Sequence, residues 1–180
     1  IILLEDDHNG ELRYQTKLRP AIQGFDADGH VIYMRSFSKL LLPSIRMSFM
    51  VLNQKMMTRY YQKKHNYHPS ASKLEQLTLA HYLMDGHMEK QIRQLRKRYE
   101  VKSSLMIRLL KAYFPDKSYL LDESNLQVLL YLGEKQDISY YTEAAKKQRI
   151  LVQGTERNAV ALSFASVSED TLIQAVAALA

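Results

Sequence analysis

Cysteine is absent from the 180 residues, which excludes a disulfide scaffold, a thiolate metal site and a cysteine nucleophile. The six glycines stand apart at positions 10, 24, 29, 86, 133 and 154, so neither a dinucleotide-binding fingerprint nor a phosphate-binding P-loop is present. Long apolar runs are missing too: Ile1–Leu4 and Leu40–Leu42 fall far short of the roughly 20 residues that cross a bilayer. No repeat or low-complexity tract occurs. The chain opens on Ile1 with no initiator Met and no signal-peptide pattern, and reads as a piece of a longer polypeptide. What remains is the balance of a globular protein, 46% hydrophobic and 24% charged, and this excludes global disorder.

The 25 basic and 19 acidic residues leave a net charge of +6. The segment from Glu89 to Lys111 carries the whole excess, through Lys90, Arg93, Arg96, Lys97, Arg98, Lys102, Arg108 and Lys111 against Glu89 and Glu100. Clustered cations reward nucleic-acid binding by counterion release. Here, however, Met88, Ile92, Leu95, Tyr99, Met106, Leu109 and Tyr113 recur at helical steps, so the charges read as the solvated faces of a long amphipathic helix.

Ile1–Leu4 reads as a strand buried on both sides, running into the acidic turn Glu5–Gly10. Val31–Met34 and Arg46–Leu52 are further strands, joined by a loop that holds Pro43. Helices are expected over Gln54–His65, from after the Tyr67–Ser72 break to about Met84, and from Gly86 until Pro115 ends the basic helix. Beyond it come strands at Leu126–Leu132, Ile150–Val152 and Ala159–Ala165, with helices at Ile138–Arg149 and Thr171–Ala180, the last opening after Ser168. The domains expected are residues 1–84, a linking helix over 85–114, and a small α+β unit over 115–180.

His65 and His68 lack a carboxylate or thiolate at ligand spacing, so no metal site is expected. Ser36 and Ser38 lack the glycine-flanked elbow of a hydrolase nucleophile. The segment Tyr33–Arg46 is more informative. A lysine just past a strand end, Lys39, has hydroxyls on one side and Arg46 seven residues on. Lysine supplies the side-chain amine able to form an imine, and must be neutral to attack. Arginine and serine donate hydrogen bonds to phosphate oxygens. Together they suit an aldehyde cofactor bearing a phosphate.

Ser36-Phe37-Ser38-Lys39 followed by Pro43 and Arg46 resembles the pyridoxal-phosphate lysine segment of fold-type I aminotransferases. The run Glu5-Asp6-Asp7-His8-Asn9-Gly10-Glu11-Leu12-Arg13-Tyr14 is similar to a narrower pattern, that of the aminotransferase-like domain of MocR-type regulators in the GntR superfamily. Gln76-Leu77-Thr78-Leu79, Asp85-Gly86-His87, and Ile92-Arg93 with Arg96 and Tyr99 fit the same family, so the resemblance covers almost the whole chain. It implies an α/β chain that is part of a fold-type I transferase: a remnant of the large-domain sheet, a long linking helix, and a small α+β C-terminal domain.

The resemblance also implies roles. Lys39 would carry pyridoxal 5′-phosphate, and Asp6 would face the pyridine nitrogen and keep it protonated. Ser36, Ser38 and Arg46 would bind the cofactor at its phosphate end, and Arg157 would grip an amino acid's carboxylate through its planar fork. His8 stands where the family usually has a tyrosine hydrogen-bonded to the cofactor's phenolic oxygen; an imidazole N–H donates a similar bond from a shorter side chain that titrates near neutrality. Asp7, on the opposite side of an extended chain from Asp6, is the weaker candidate for the ring nitrogen. In the family, the half of the large domain preceding this segment supplies the glycine-containing phosphate turn and the aromatic stacked on the ring. This piece alone is therefore expected to bind the cofactor weakly or not at all, and its exposed sheet edges to favour association.

The implied function is a cytoplasmic, dimerising sensor of a small amino compound, touching DNA only through an N-terminal domain outside this chain and no membrane. It reads as more sensor than enzyme. The alternatives are a true aminotransferase with Lys39 as the proton-transferring base, and a basic nucleic-acid module acting through Arg93–Arg98.

Overall fold

In the computed structural model, residues 1–15, 20–66, 71–133 and 137–180 are described. The chain divides into two compact units, Ile1–Gln94 and Leu95–Ala180.

The first unit is built on a three-stranded sheet in the order β1-β2-β3, with β1 at Leu3–Asp6, β2 at Val31–Ser36 and β3 at Ser48–Val51. β1 and β2 run parallel, Leu3 opposite Val31 and Asp6 opposite Met34. β3 returns antiparallel, placing Ser48 opposite Ser36 and Phe49 opposite Arg35. The crossover between β1 and β2 is fastened by Glu5, whose two carboxylate oxygens accept the amides of Ile22 at 2.9 Å and Gln23 at 3.0 Å, the first residues of a 3-10 helix. Just ahead of β2, the Asp26 carboxylate takes the Val31 amide at 2.5 Å, and the amides of His30 and Val31 hold that carboxyl below its usual range. Asn53 caps α1 (Gln54–Lys63) by accepting the Met56 amide at 2.8 Å, while its amide group donates to the Gly29 carbonyl. Gly29 turns at φ 73°, and a Cβ there would press on Asn53 at 3.0 Å. α2 spans Lys73–Met84.

The expectation that the first strand is covered on both sides does not hold in this chain. The strand is Leu3–Asp6 rather than Ile1–Leu4, and Leu3 and Leu4 are 45% and 58% exposed. Leu3 and Leu4 alternate to opposite faces of the sheet, and neither face is covered at β1, which is also the edge strand. Neither α1 nor α2 fully buries a residue, and among the described residues the buried apolar side chains of this unit are Leu12, Val31, Tyr33, Leu40, Met47 and Met88.

α3 (His87–Tyr113) begins in the first unit and continues into the second. Its buried positions are Met88, Leu95, Tyr99, Ser103, Met106 and Leu110. The stripe therefore passes through Leu110 instead of the expected Leu109, and Tyr113 is exposed. Most of the cations lie on wet faces, but Lys102 does not. Its ammonium donates to the carbonyls of Ala165 at 3.0 Å and Val167 at 2.5 Å, fastening α3 to the loop before α5.

The second unit packs a fully antiparallel sheet, ordered β4-β5-β7-β6, with α4 (Ile138–Lys147) and α5 (Glu169–Leu179). Its strands are β4 at Tyr119–Asp122, β5 at Gln127–Tyr131, β6 at Gln153–Gly154 and β7 at Ala159–Ser163. Alternation buries Val128 and Leu130 of β5 and Val160 and Leu162 of β7, Ala159 is buried on the opposite face, and Phe164 just after the strand is wholly enclosed. Ser168 caps α5 by accepting the Thr171 amide, and Asp137 caps α4 through the Ser139 amide. β4 has no counterpart in the sequence reading, and the short strand expected at Ile150–Val152 forms instead at Gln153–Gly154. Among the described residues, no helix is long and apolar enough to cross a membrane.

Candidate functional site

Because β1 and β2 are parallel, their carboxyl ends share one edge of the sheet, and because β3 runs back, its amino end lies at that same edge. Ligands of open α/β sheets collect outside the carboxyl ends of the strands. That edge carries Asp6 and His8 at the end of β1, Ser36, Ser38 and Lys39 at the end of β2, and Arg46 just before β3. Of the expected site residues, these six come from one unit and one end of one sheet.

The Lys39 loop is fixed by its own short-range bonds. The Phe37 carbonyl accepts the amides of Leu40 at 3.1 Å and Leu41 at 3.0 Å, and the Phe37 amide donates to the Met47 carbonyl at 3.1 Å. The Ser36 hydroxyl lies 3.2 Å from that of Ser38, which in turn donates to the Ile45 carbonyl at 2.9 Å. Leu40 and Met47 sink into the core as anchors on either side, and the rings of Phe37 and Phe49 lie 5.4 Å apart. Between these fixed points Lys39 and Arg46 project to solvent. Neither cation has a protein acceptor among the described residues. The Lys39 amine, the Arg46 guanidinium and the Ser36 hydroxyl are thus exposed at one end of the sheet, while the Ser38 hydroxyl has its proton engaged by Ile45.

At the end of β1, alternation separates the two adjacent aspartates. Asp6 is exposed and Asp7 half-buried. The Asp7 carboxylate accepts the Tyr33 hydroxyl at 2.7 Å and lies 3.7 Å from the Arg35 guanidinium, which also forms an ion pair with Glu11. Burial, and then the bond to Asp7, push the Tyr33 hydroxyl well above its ordinary range. Sequence reasoning passed over Arg35 and Glu11. The signal available to it was the parity of β2, which puts Tyr33 and Arg35 on one face.

Arg157 lies in the second unit, exposed in the turn between β6 and β7. His65 ends in a short 3-10 turn after α1, while its companion His68 lies outside the described residues, as do Tyr67 and Ser70 of the expected helix break.

Residues 2–179 match the family described as aminotransferase class I and II. The chain belongs to that family. Its fold is that of a fold-type I transferase: the kynurenine aminotransferase of Pyrococcus horikoshii superposes with a TM-score of 0.85 at 26% identity, covering 99% of this chain and 46% of that one. Among curated relatives, the HTH-type transcriptional regulator YdeL of Bacillus subtilis is 32% identical over 97% of this chain and 40% of its own length. The rhizopine catabolism regulatory protein MocR of Rhizobium meliloti is 31% identical over 63% of this chain and 23% of its own. The chain thus spans less than half the length of the relatives it matches.

Proposed function

We propose that this chain is the C-terminal part of a pyridoxal-phosphate-binding, effector-sensing domain in a GntR/MocR-type bacterial transcriptional regulator. The observation that carries the reading is the alignment with a transcriptional regulator along 97% of the chain at 32% identity, above the 24% of the aromatic-amino-acid aminotransferase of Thermococcus litoralis. The full protein would act as a homodimer in the cytoplasm and reach DNA through a separate N-terminal domain.

The sheet edge fits the cofactor chemically. The Arg46 guanidinium with the Ser36 hydroxyl supplies donors for phosphate oxygens, and charge-assisted bonds of this kind are the stronger ones. The Ser38 hydroxyl, whose one proton goes to the Ile45 carbonyl, would hold the loop around them. The Lys39 amine, once it gives up its proton, is a nucleophile for an aldehyde carbon. The Asp6 carboxylate would hold a proton on the ring nitrogen, and an imidazole N–H of His8 would donate to the phenolic oxygen. When bound, the cofactor's ring supplies an electron sink for the carbon next to an amine. The role of Arg157 at an effector's carboxylate rests on the family resemblance.

The deciding experiment is borohydride reduction of the full-length protein supplied with pyridoxal phosphate, followed by peptide mapping. A reduced adduct on Lys39 supports the reading, and an adduct elsewhere or none removes it. A small amine that changes DNA affinity without turnover of a keto acid marks a sensor. Sustained turnover marks the second reading, a true aminotransferase.

A further inference from the structure

Asp7 sits where three independent constraints meet. Its carboxylate is held by the Tyr33 hydroxyl at 2.7 Å and faces the Arg35 Nη2 at 3.7 Å, and the same Arg35 nitrogen is ion-paired with Glu11. The third constraint is steric. A Cβ on Gly10 would lie 2.3 Å from Asp7 Oδ1, 2.8 Å from Oδ2 and 2.9 Å from Cγ. Gly10 is not among the residues with positive φ, so this position needs the missing side chain and not a left-handed backbone. The left-handed residue is its neighbour Asn9, at φ 62° and ψ 20°, only 7% exposed.

The backbone around Asp7 is correspondingly tight. The Asp7 amide extends the parallel ladder to the Met34 carbonyl at 3.0 Å. The His8 amide donates to the Asp6 carbonyl at 3.1 Å, and the amide of fully buried Leu12 donates to the Asn9 carbonyl at 2.9 Å. Tyr33 and Arg35 stand two apart on one face of β2, while Asp6, registered with Met34, alternates to the other. Holding Asp7 on the first face therefore sets Asp6 on the second.

We infer that Asp7, Glu11, Tyr33 and Arg35 form a positioning cluster that fixes the Asp6–Asn9 turn and with it the direction in which Asp6 and His8 are presented to the cofactor. The inference rests on the pyridoxal phosphate reading above. Asp7 is a positioning residue, acting through the backbone it shares with Asp6. Tyr33 stays a donor across the ordinary pH range, because burial and the adjacent carboxylate keep its hydroxyl protonated.

The test uses the full-length protein with Tyr33→Phe, which removes one hydroxyl, and with Asp7→Asn. In the cofactor-free protein, hydrogen exchange at the His8 and Leu12 amides rises about tenfold, the order expected when a half-buried group loses a hydrogen bond. Added pyridoxal phosphate then binds about tenfold more weakly, with a shifted visible absorption band, while borohydride still labels Lys39. A purely structural cluster would leave the band and the affinity unchanged, and that result overturns the inference, as does unaltered exchange in both variants. If the unaltered protein takes up no pyridoxal phosphate, the functional reading fails and takes the cofactor half of this inference with it. The exchange rates then still decide whether the cluster holds the turn.

Discussion

The Ser38 hydroxyl donates to the Ile45 carbonyl at 2.9 Å, closing the loop that carries Lys39 against the residue that precedes Arg46. That bond ties together the two ends of the loop on which both cations stand. Ser38→Ala removes it and leaves the Ile45 carbonyl without its donor. Titration of the full-length protein should show pyridoxal phosphate binding about fivefold to tenfold more weakly, the equivalent of about 1 kcal/mol.

Arg46→Ala takes away the charge-assisted donors themselves. A loss of about ten- to a hundredfold in cofactor affinity is expected, with a smaller effect of Arg46→Lys, which keeps the charge but not the planar fork. Added inorganic phosphate should compete with the cofactor in the unaltered protein and lose that effect in Arg46→Ala.

Phe164→Ala should cost about 3–5 kcal/mol in denaturant unfolding, because the ring is wholly enclosed in the core of the second unit. Phe49→Ala, at a side chain 38% exposed on β3, should cost clearly less.

Asp122 gives a pH prediction. Burial pushes its carboxyl up, but hydrogen bonds from Asn125, Ser124 and Gln127 together outweigh that and bring it below its ordinary 3.8. A carboxyl lowered by folding contributes stability that is present above its unfolded value and is lost as pH falls through the folded one. Asp122→Asn should therefore flatten the acid limb of stability below about pH 4 and change little in slope near neutrality, as followed by thermal melts.

Amide exchange should separate the two units. Val128, Leu130, Val160 and Leu162, buried in the middle of the second sheet, should exchange slowest. Leu3 and Leu4 on the exposed edge strand β1 should exchange far faster.

The loop from Ser36 to Arg46 was legible because its chemistry is local: strand end, hydroxyls, amine and guanidinium follow one another in order, and backbone bonds bring them together. The Asp7–Arg35 cluster was not, because its members come from a turn and a strand that meet only once the parallel pairing is known. Parity did separate Asp6 from Asp7 correctly. The Ile1–Leu4 run differs for another reason: apolar composition states which surroundings would suit a residue, and what packs over the two faces of β1 decides which it gets. β4 went unseen since Tyr119–Asp122 is short and owes its strand form to cross-strand partners Leu130 to Gln127. Lys102 was counted with the solvated cations; only the position of the Ala165 and Val167 carbonyls reveals its different use.

The reversal of β3 has a kinetic consequence. Ser36 meets Ser48 through a hairpin, whereas Leu3 must find Val31 across a crossover. Chain closure over the shorter span is entropically easier, and contacts close in sequence form sooner. As the polypeptide folds, the cationic arm of the sheet edge is thus assembled first, and the acidic arm arrives later to meet a clasp already in place.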